Sequence, residues 1–213
     1  MDGVQTGVKI CGLTEEVGLD ACVEYGADWI GFVFFERSPR YISALQAKAL
    51  ASRITGSIRK VGLFVRPDDT VLERVLDQVD LDILQLYTTP ERAVQIQAKF
   101  GRPVWLSIPV ASQADLPRLC TVERLLIEPK PPVHATRPGG NAQQLNWDLL
   151  HGWQPGYSWM LAGGLSPENV SQAVAITGAP AVDVSSGVES APGIKSPDAI
   201  ARFIHNARSP AVS

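Results

Sequence analysis

Two short loops and two side chains in this sequence have the types and places to do chemistry. Ala162-Gly163-Gly164-Leu165 follows the apolar run Trp159-Met160-Leu161, and Asp183-Val184-Ser185-Ser186-Gly187 follows Ala181-Val182. Glycines there leave backbone N–H groups bare, serines add hydroxyl donors, and Ser-Pro-acid helix starts stand close behind. Such donors suit a phosphate. Cys11, in Lys9-Ile10-Cys11-Gly12, and Glu128, in Leu125-Leu126-Ile127-Glu128-Pro129-Lys130, each end an apolar run. One base and one acid on opposite sides of a ligand are what a proton-shifting isomerisation needs.

Each of these residues has a plainer reading beside the chemical one. Cys11 is either a base that spends time as thiolate or a small apolar residue capping a core. Glu128 is either an acid whose pKa is raised at the end of an apolar strand or a solvated partner of Lys130. Arg40, in Ser38-Pro39-Arg40-Tyr41, is either a clamp for a substrate carboxylate or a surface arginine. Gly139-Gly140-Asn141 either adds backbone donors to the phosphate, through Gly140 and Asn141, or simply turns the chain. Cys22 and Cys120 fall in segments read as helical and serve packing.

The elements that would position these groups repeat along the chain. Apolar and β-branched runs fall near 8–10, 29–34, 60–65, 81–86, 103–108, 124–128, 158–162 and 180–184. Most are continuously apolar, as strands buried on both faces are. Between them lie helical stripes such as Val71, Leu72, Val75, Leu76 and Val79, or Ile200, Phe203, Ile204 and Ala207. Thr89-Pro90-Glu91, Ser166-Pro167-Glu168 and Ser196-Pro197-Asp198 each read as a helix start. The helices after strands five and six, near 113–119 and 145–151, carry the weakest pattern. Eight strand-then-helix repeats predict an α/β fold, a single-domain (β/α)8 TIM barrel over residues 1–213. The C-terminal ends of the strands then face a substrate, and the loops after strands seven and eight commonly hold its phosphate.

Composition narrows the function. A net charge of −3, an apolar fraction of 45% and a charged fraction of 19% describe an ordinary globular chain without a nucleic-acid surface. No run approaches a membrane span. The opening Met1-Asp2-Gly3-Val4-Gln5-Thr6 lacks the basic and apolar parts of a signal peptide, and the 3 cysteines are irregularly spaced. A cytoplasmic chain with reduced thiols and no metal site is expected. Neither G-x-G-x-x-G after the first strand nor G-x-x-x-x-G-K-[ST] is present, so dinucleotide and P-loop readings lose support.

The order of these motifs resembles the phosphoribosylanthranilate isomerase family of tryptophan biosynthesis over nearly the whole length. The resemblance rests on Val8-Lys9-Ile10-Cys11-Gly12-Leu13, Gly31-Phe32-Val33-Phe34, Ser38-Pro39-Arg40, Pro138-Gly139-Gly140-Asn141, Leu161-Ala162-Gly163-Gly164-Leu165 and Val182-Asp183-Val184-Ser185-Ser186-Gly187. It implies a cofactor-free Amadori rearrangement of N-(5-phosphoribosyl)anthranilate from aminoaldose to aminoketose. It further implies Cys11 as base at ribose C2, Glu128 as acid at the ring oxygen, Arg40 on the anthranilate carboxylate and Asp183 shaping the pocket. Gly140, Asn141, Gly163, Gly164, Ser185, Ser186 and Gly187 would hold the phosphate. The implied partner is a small phosphoribosyl substrate, with neither nucleic acid nor membrane, on a monomer or homodimer.

Strands four to six depart from the family pattern. Its usual aspartate acid is Glu128 here, its Gln-Leu-His-Gly is Gln85-Leu86-Tyr87-Thr88, and its Lys-x-x-Arg becomes Leu106-Ser107-Ile108-Pro109. Two other readings follow: an impaired phosphosugar-binding homologue, or an isomerase of another phosphosugar on the same barrel. Because a misplacement of about an ångström can cost on the order of a hundredfold in rate, Glu128→Asp is expected to keep or raise kcat.

Overall fold

The structure is a computed structural model and describes residues 5–54, 56–132, 134–135, 137–139 and 143–209. Eight parallel strands close in chain order into a barrel. They are β1 (Gly7–Cys11), β2 (Trp29–Val33), β3 (Arg59–Val65), β4 (Ile83–Tyr87), β5 (Val104–Val110), β6 (Arg124–Pro129), β7 (Trp159–Ala162) and β8 (Ala181–Val184). Closure comes from β1 on β8, with Val8 opposite Val182 and Lys9 opposite Asp183, so the barrel sheet has no open edge. The helices are α1 (Glu16–Glu24), α2 (Ala44–Ala51), α3 (Asp69–Leu76), α4 (Pro90–Phe100), α5 (Val170–Thr177) and α6 (Pro197–Arg208).

Strand side chains alternate between the helices and the barrel interior. The outward set, including Val8, Ile10, Ile30, Phe32, Leu84 and Leu86, joins the helix stripes in the main core. The inward set begins with Val61, Ile83, Trp105, Leu126, Met160 and Ala181, which plug the barrel's N-terminal end. Two residues further along their strands stand Leu63, Gln85, Ser107 and Glu128, all buried. The interior thus turns from apolar to polar toward the strand C-termini, and that gradient sets the site at this mouth.

Two expected helix starts are confirmed: Thr89 accepts from Arg92 N and Ser196 from Ala199 N, each followed by proline. Others differ. The segments expected as helices near 113–119 and 145–151 form only 3-10 turns, Gln113–Asp115 and Trp147–Leu150, because neither carries a continuous apolar stripe. Ser166-Pro167-Glu168 makes a turn instead, with Asn169 Oδ1 accepting from Ser166 N, and α5 begins only at Val170. Cys120 lies in coil, its Sγ 3.0 Å from the Val122 carbonyl. After β8 a hairpin of β9 (Glu189–Ala191) and β10 (Ile194–Lys195) stands outside the barrel. No helix among the described residues is long and apolar enough to cross a membrane.

Candidate active site

At the C-terminal mouth a cavity of about 850 Å³, counted to its open side, is lined by residues of every barrel strand except β5. Cys11, Tyr87, Glu128 and Asp183 reach it from β1, β4, β6 and β8, and Gly163, Gly164, Ser185 and Ser186 from the loops beyond β7 and β8. β6 stands three strands from β1 round the closed barrel, and the thiol and the carboxyl both line the one cavity.

Cys11 is buried, 3% exposed, within reach of the charges of Lys9, Asp183 and Lys195. Lys9, fully buried on the same inward face, places Nζ 2.8 Å from Asp183 Oδ1. Gly31 on β2 makes the space, since a Cβ there would come 2.8 Å from Cys11 Sγ and 3.2 Å from Lys9 Nζ. Burial pushes the Cys11 thiol above its ordinary value, and the Lys9 cation pulls against that rise. Burial also pulls Lys9 down, but Asp183 and Cys11 outweigh it and hold the ammonium charged.

Glu128 is 6% exposed and makes no ion pair with Lys130 among the described residues. Desolvation pushes its carboxyl up to about 8, reinforced by the Asp183 charge and opposed by the Tyr87 hydrogen bond and by Lys9. A carboxyl in that range is largely protonated at neutral pH and can act as an acid.

The loop residues offer the expected donors. Among the described residues, the amides of Gly163, Gly164, Ser185 and Ser186 donate no hydrogen bond to the protein. Gly163 and Gly164 sit at φ 92° and 67°, which turns successive amides outward and which side chains other than glycine's resist. Ser185 Oγ donates to the Cys11 carbonyl at 3.0 Å, tying this loop to β1.

The family model described as N-(5'phosphoribosyl)anthranilate (PRA) isomerase matches residues 8–206. The chain belongs to that family. The N-(5'-phosphoribosyl)anthranilate isomerase of Paramagnetospirillum magneticum is 51% identical over 207 residues, covering 94% of this chain and 96% of the relative. That of Paracoccus denitrificans is 50% identical, covering 95% and 97%. The crystal structure of phosphoribosyl anthranilate isomerase from Thermotoga maritima superposes with a TM-score of 0.81 at 32% identity, over 95% of this chain and 98% of that one. A structure in complex with reduced 1-(o-carboxyphenylamino)-1-deoxyribulose 5-phosphate is also similar, with a TM-score of 0.79 and 31% identity over 95% and 98%.

Within this phosphoribosylanthranilate isomerase barrel the expected site residues fare differently. Cys11, Glu128, Arg40, Asp183, Gly163, Gly164, Ser185 and Ser186 converge on one cavity. Gly187 stands behind it: a Cβ there would collide with the Leu165 carbonyl, so this glycine lets the two loops pack together. Gly140 and Asn141 lie outside the described residues. Arg40 is neither on the surface nor a free clamp, since it is 5% exposed and gripped by Glu189 through Nε–Oε1 at 2.6 Å and Nη2–Oε2 at 2.8 Å. Its remaining Nη1 is the end with no hydrogen bond to the described residues.

Sequence reasoning noted Tyr87 only as a departure from the family pattern and gave no role to Lys9, Glu189 or Lys195. Lys195 is buried on β10 with Nζ 2.9 Å from Glu189 Oε1 and 3.0 Å from the Ser185 carbonyl. Desolvation lowers its pKa against the pull of Glu189. The inward phase of Lys9 and Tyr87, each two residues from a barrel-facing neighbour, could have flagged the first two. Nothing in the hairpin's sequence marks the other pair. No group of three or more His, Cys, Asp or Glu is placed to hold a metal among the described residues.

Proposed function

We propose that the chain is an N-(5'-phosphoribosyl)anthranilate isomerase of tryptophan biosynthesis with Cys11 as general base and Glu128 as general acid. The observation that supports this most directly is a buried carboxyl lining one cavity with a thiol that has a buried ammonium on its own strand face.

The chemistry runs through two enzyme-driven proton transfers and a closing tautomerisation. Glu128 gives its proton to the furanose ring oxygen while the anthranilate nitrogen pushes its lone pair toward C1, so the C1–O bond breaks and an iminium forms. The Cys11 thiolate then takes the C2 proton, and the C2–H electron pair forms the C1=C2 bond of an enolamine. Reprotonation at C1 and loss of the C2 hydroxyl proton leave the ketose. Protons alone move, and no cofactor takes part. The reactive state has its proton on Glu128 and none on Cys11, and the Lys9 cation favours that arrangement.

Binding is assigned to the groups around this pair. The bare amides of Gly163, Gly164, Ser185 and Ser186 suit the 5'-phosphate, with Gly140 and Asn141 joining them from the β6–β7 loop. Arg40, oriented by Glu189, presents Nη1 to the anthranilate carboxylate. Asp183 shapes the pocket by holding Lys9. The whole chain acts as one barrel domain in the cytoplasm, as a monomer or homodimer.

Growth of a tryptophan auxotroph lacking the isomerase, restored by this chain, is the expected result. Purified Cys11→Ser and Glu128→Gln should each lose about 10²- to 10⁴-fold in kcat. Soluble protein that neither restores growth nor turns over substrate would remove the activity, and an active Cys11→Ser would remove the base.

A further inference from the structure

The two carboxyl oxygens of Glu128 live in different surroundings. Oε2 accepts the Tyr87 hydroxyl hydrogen bond at 3.0 Å. Gly139 lies close over the same oxygen, because a Cβ on it would lie 3.1 Å from Oε2 and collide with the Tyr87 hydroxyl. Oε1 is buried and has no hydrogen-bond partner among the described residues. Tyr87 is itself fixed, with its backbone paired to Val65 and its ring packed with Cys11, Val33 and Leu63 at the mouth.

We propose that Tyr87 is a positioning residue for the acid: by donating to Oε2 it keeps that oxygen as acceptor and leaves the transferable proton on Oε1, the oxygen with no partner among the described residues. The inference rests on Glu128 as the general acid. When the Oε1–H bond breaks, the proton goes to the ring oxygen and the electron pair stays on the carboxylate. Tyr87 keeps its own proton throughout. A hydrogen bond to a carboxylate is stronger than one to a neutral acid, so the Tyr87 contact tightens as negative charge develops and favours the transition state over the ground state. The extra methylene of glutamate carries the carboxyl to the hydroxyl of Tyr87, which makes the two residues a matched pair.

Glu128 also faces Ser107 from β5, Lys9 from β1 and Asp183 from β8, while Cys11 and Arg137 share its cavity. Among the described residues, Tyr87 lies within hydrogen-bonding distance of Oε2. The alternative arrangement, with the acid's proton on Oε2 and donated to the tyrosine oxygen, predicts the opposite sign in the test below. A bond that favours the charged carboxylate lowers its pKa, whereas one that favours the neutral acid raises it.

The test is a ¹³C NMR titration of glutamate-labelled protein, with the Glu128 signal assigned from Glu128→Gln, alongside the pH profile of kcat/KM. Tyr87→Phe keeps the packed ring and removes one oxygen. It should move the Glu128 midpoint up by about one pH unit, shift the acidic limb of kcat/KM with it, and lower kcat about tenfold while KM changes less than twofold. A midpoint that stays or moves down overturns the proposal. In a Glu128→Asp background, where the carboxyl is drawn back from the hydroxyl, Tyr87→Phe should have little further effect; an undiminished effect there overturns it too. Retained kcat in Glu128→Gln would instead remove the acid assignment, and this inference with it, whatever the titration shows.

Discussion

Lys9 Nζ sits 2.8 Å from Asp183 Oδ1 across the seam where β1 meets β8, two residues short of the Cys11 thiol. The seam therefore closes the barrel and charges the base's surroundings at once. Lys9 is fully buried and the Asp183 side chain is 12% exposed, so neither charge is well solvated alone. Removing one partner of a buried pair costs roughly 3–5 kcal/mol, whereas replacing both by apolar groups is often neutral. Lys9→Met should accordingly lose stability of that order in denaturant unfolding and raise the Cys11 thiol further. Lys9→Met/Asp183→Leu should recover most of the stability but not the activity. If the double variant is as unstable as the single, the pair is not what holds this seam.

The two titrating groups set the pH dependence as a pair. Burial holds Glu128 near 8 and lifts Cys11 above its ordinary value, so the state with a protonated acid and a thiolate base is a minor form of the singly protonated site. Its population rises through the lower midpoint and falls through the upper one. A bell-shaped kcat/KM is expected, with its rising limb near 8 and its maximum on the alkaline side. A maximum near pH 6 contradicts this. Stability follows the same carboxyl. Its folded pKa lies above the unfolded value of 4.5, so its contribution is complete below 4.5 and is lost as pH rises through about 8. Glu128→Gln should remove that slope and be the more stable protein at pH 9.

How much of this was legible before the structure differs by element. The eight strands were readable because a strand buried on both faces must be apolar throughout, and the observed β3 (Arg59–Val65) and β6 (Arg124–Pro129) fall within two residues of the expected runs. The missing helices after β5 and β6 had no stripe to read. Cys11 and Glu128 were legible as strand ends, but a strand end says nothing of what its side chain meets. Tyr87 meets Glu128 from a strand 41 positions earlier in the chain, and Glu189 meets Arg40 from 149 positions away. Sequence separation hides such pairs. The Tyr87 contact also reverses one expectation: Glu128→Asp withdraws the carboxyl from its donor, so kcat should fall on the order of tenfold or more instead of holding. Steady-state kinetics of the one variant decide between the two.

Glu189 holds two cations, Arg40 at 2.6 and 2.8 Å and Lys195 at 2.9 Å, and all three side chains are buried. It is the joint between the carboxylate clamp after β2 and the phosphate loop after β8, since Lys195 also grips the Ser185 carbonyl. Glu189→Gln leaves Arg40 and Lys195 as unneutralised neighbours and frees the guanidinium from its fixed orientation. KM should rise about ten- to a hundredfold, while the limb of the kcat/KM profile set by Glu128 stays in place because neither Glu189 nor Lys195 acts on that carboxyl. Burial alone would raise the Glu189 carboxyl, but Arg40 and Lys195 outweigh it and hold the pKa below 4.5. A depressed carboxyl contributes stability above its unfolded value and loses it as pH falls through the folded one. Wild type should therefore lose stability below pH 4.5 by a step that Glu189→Gln lacks. Acid unfolding curves that superpose apart from a constant offset, or a shifted Glu128 limb with unchanged KM, would place Glu189 outside this role.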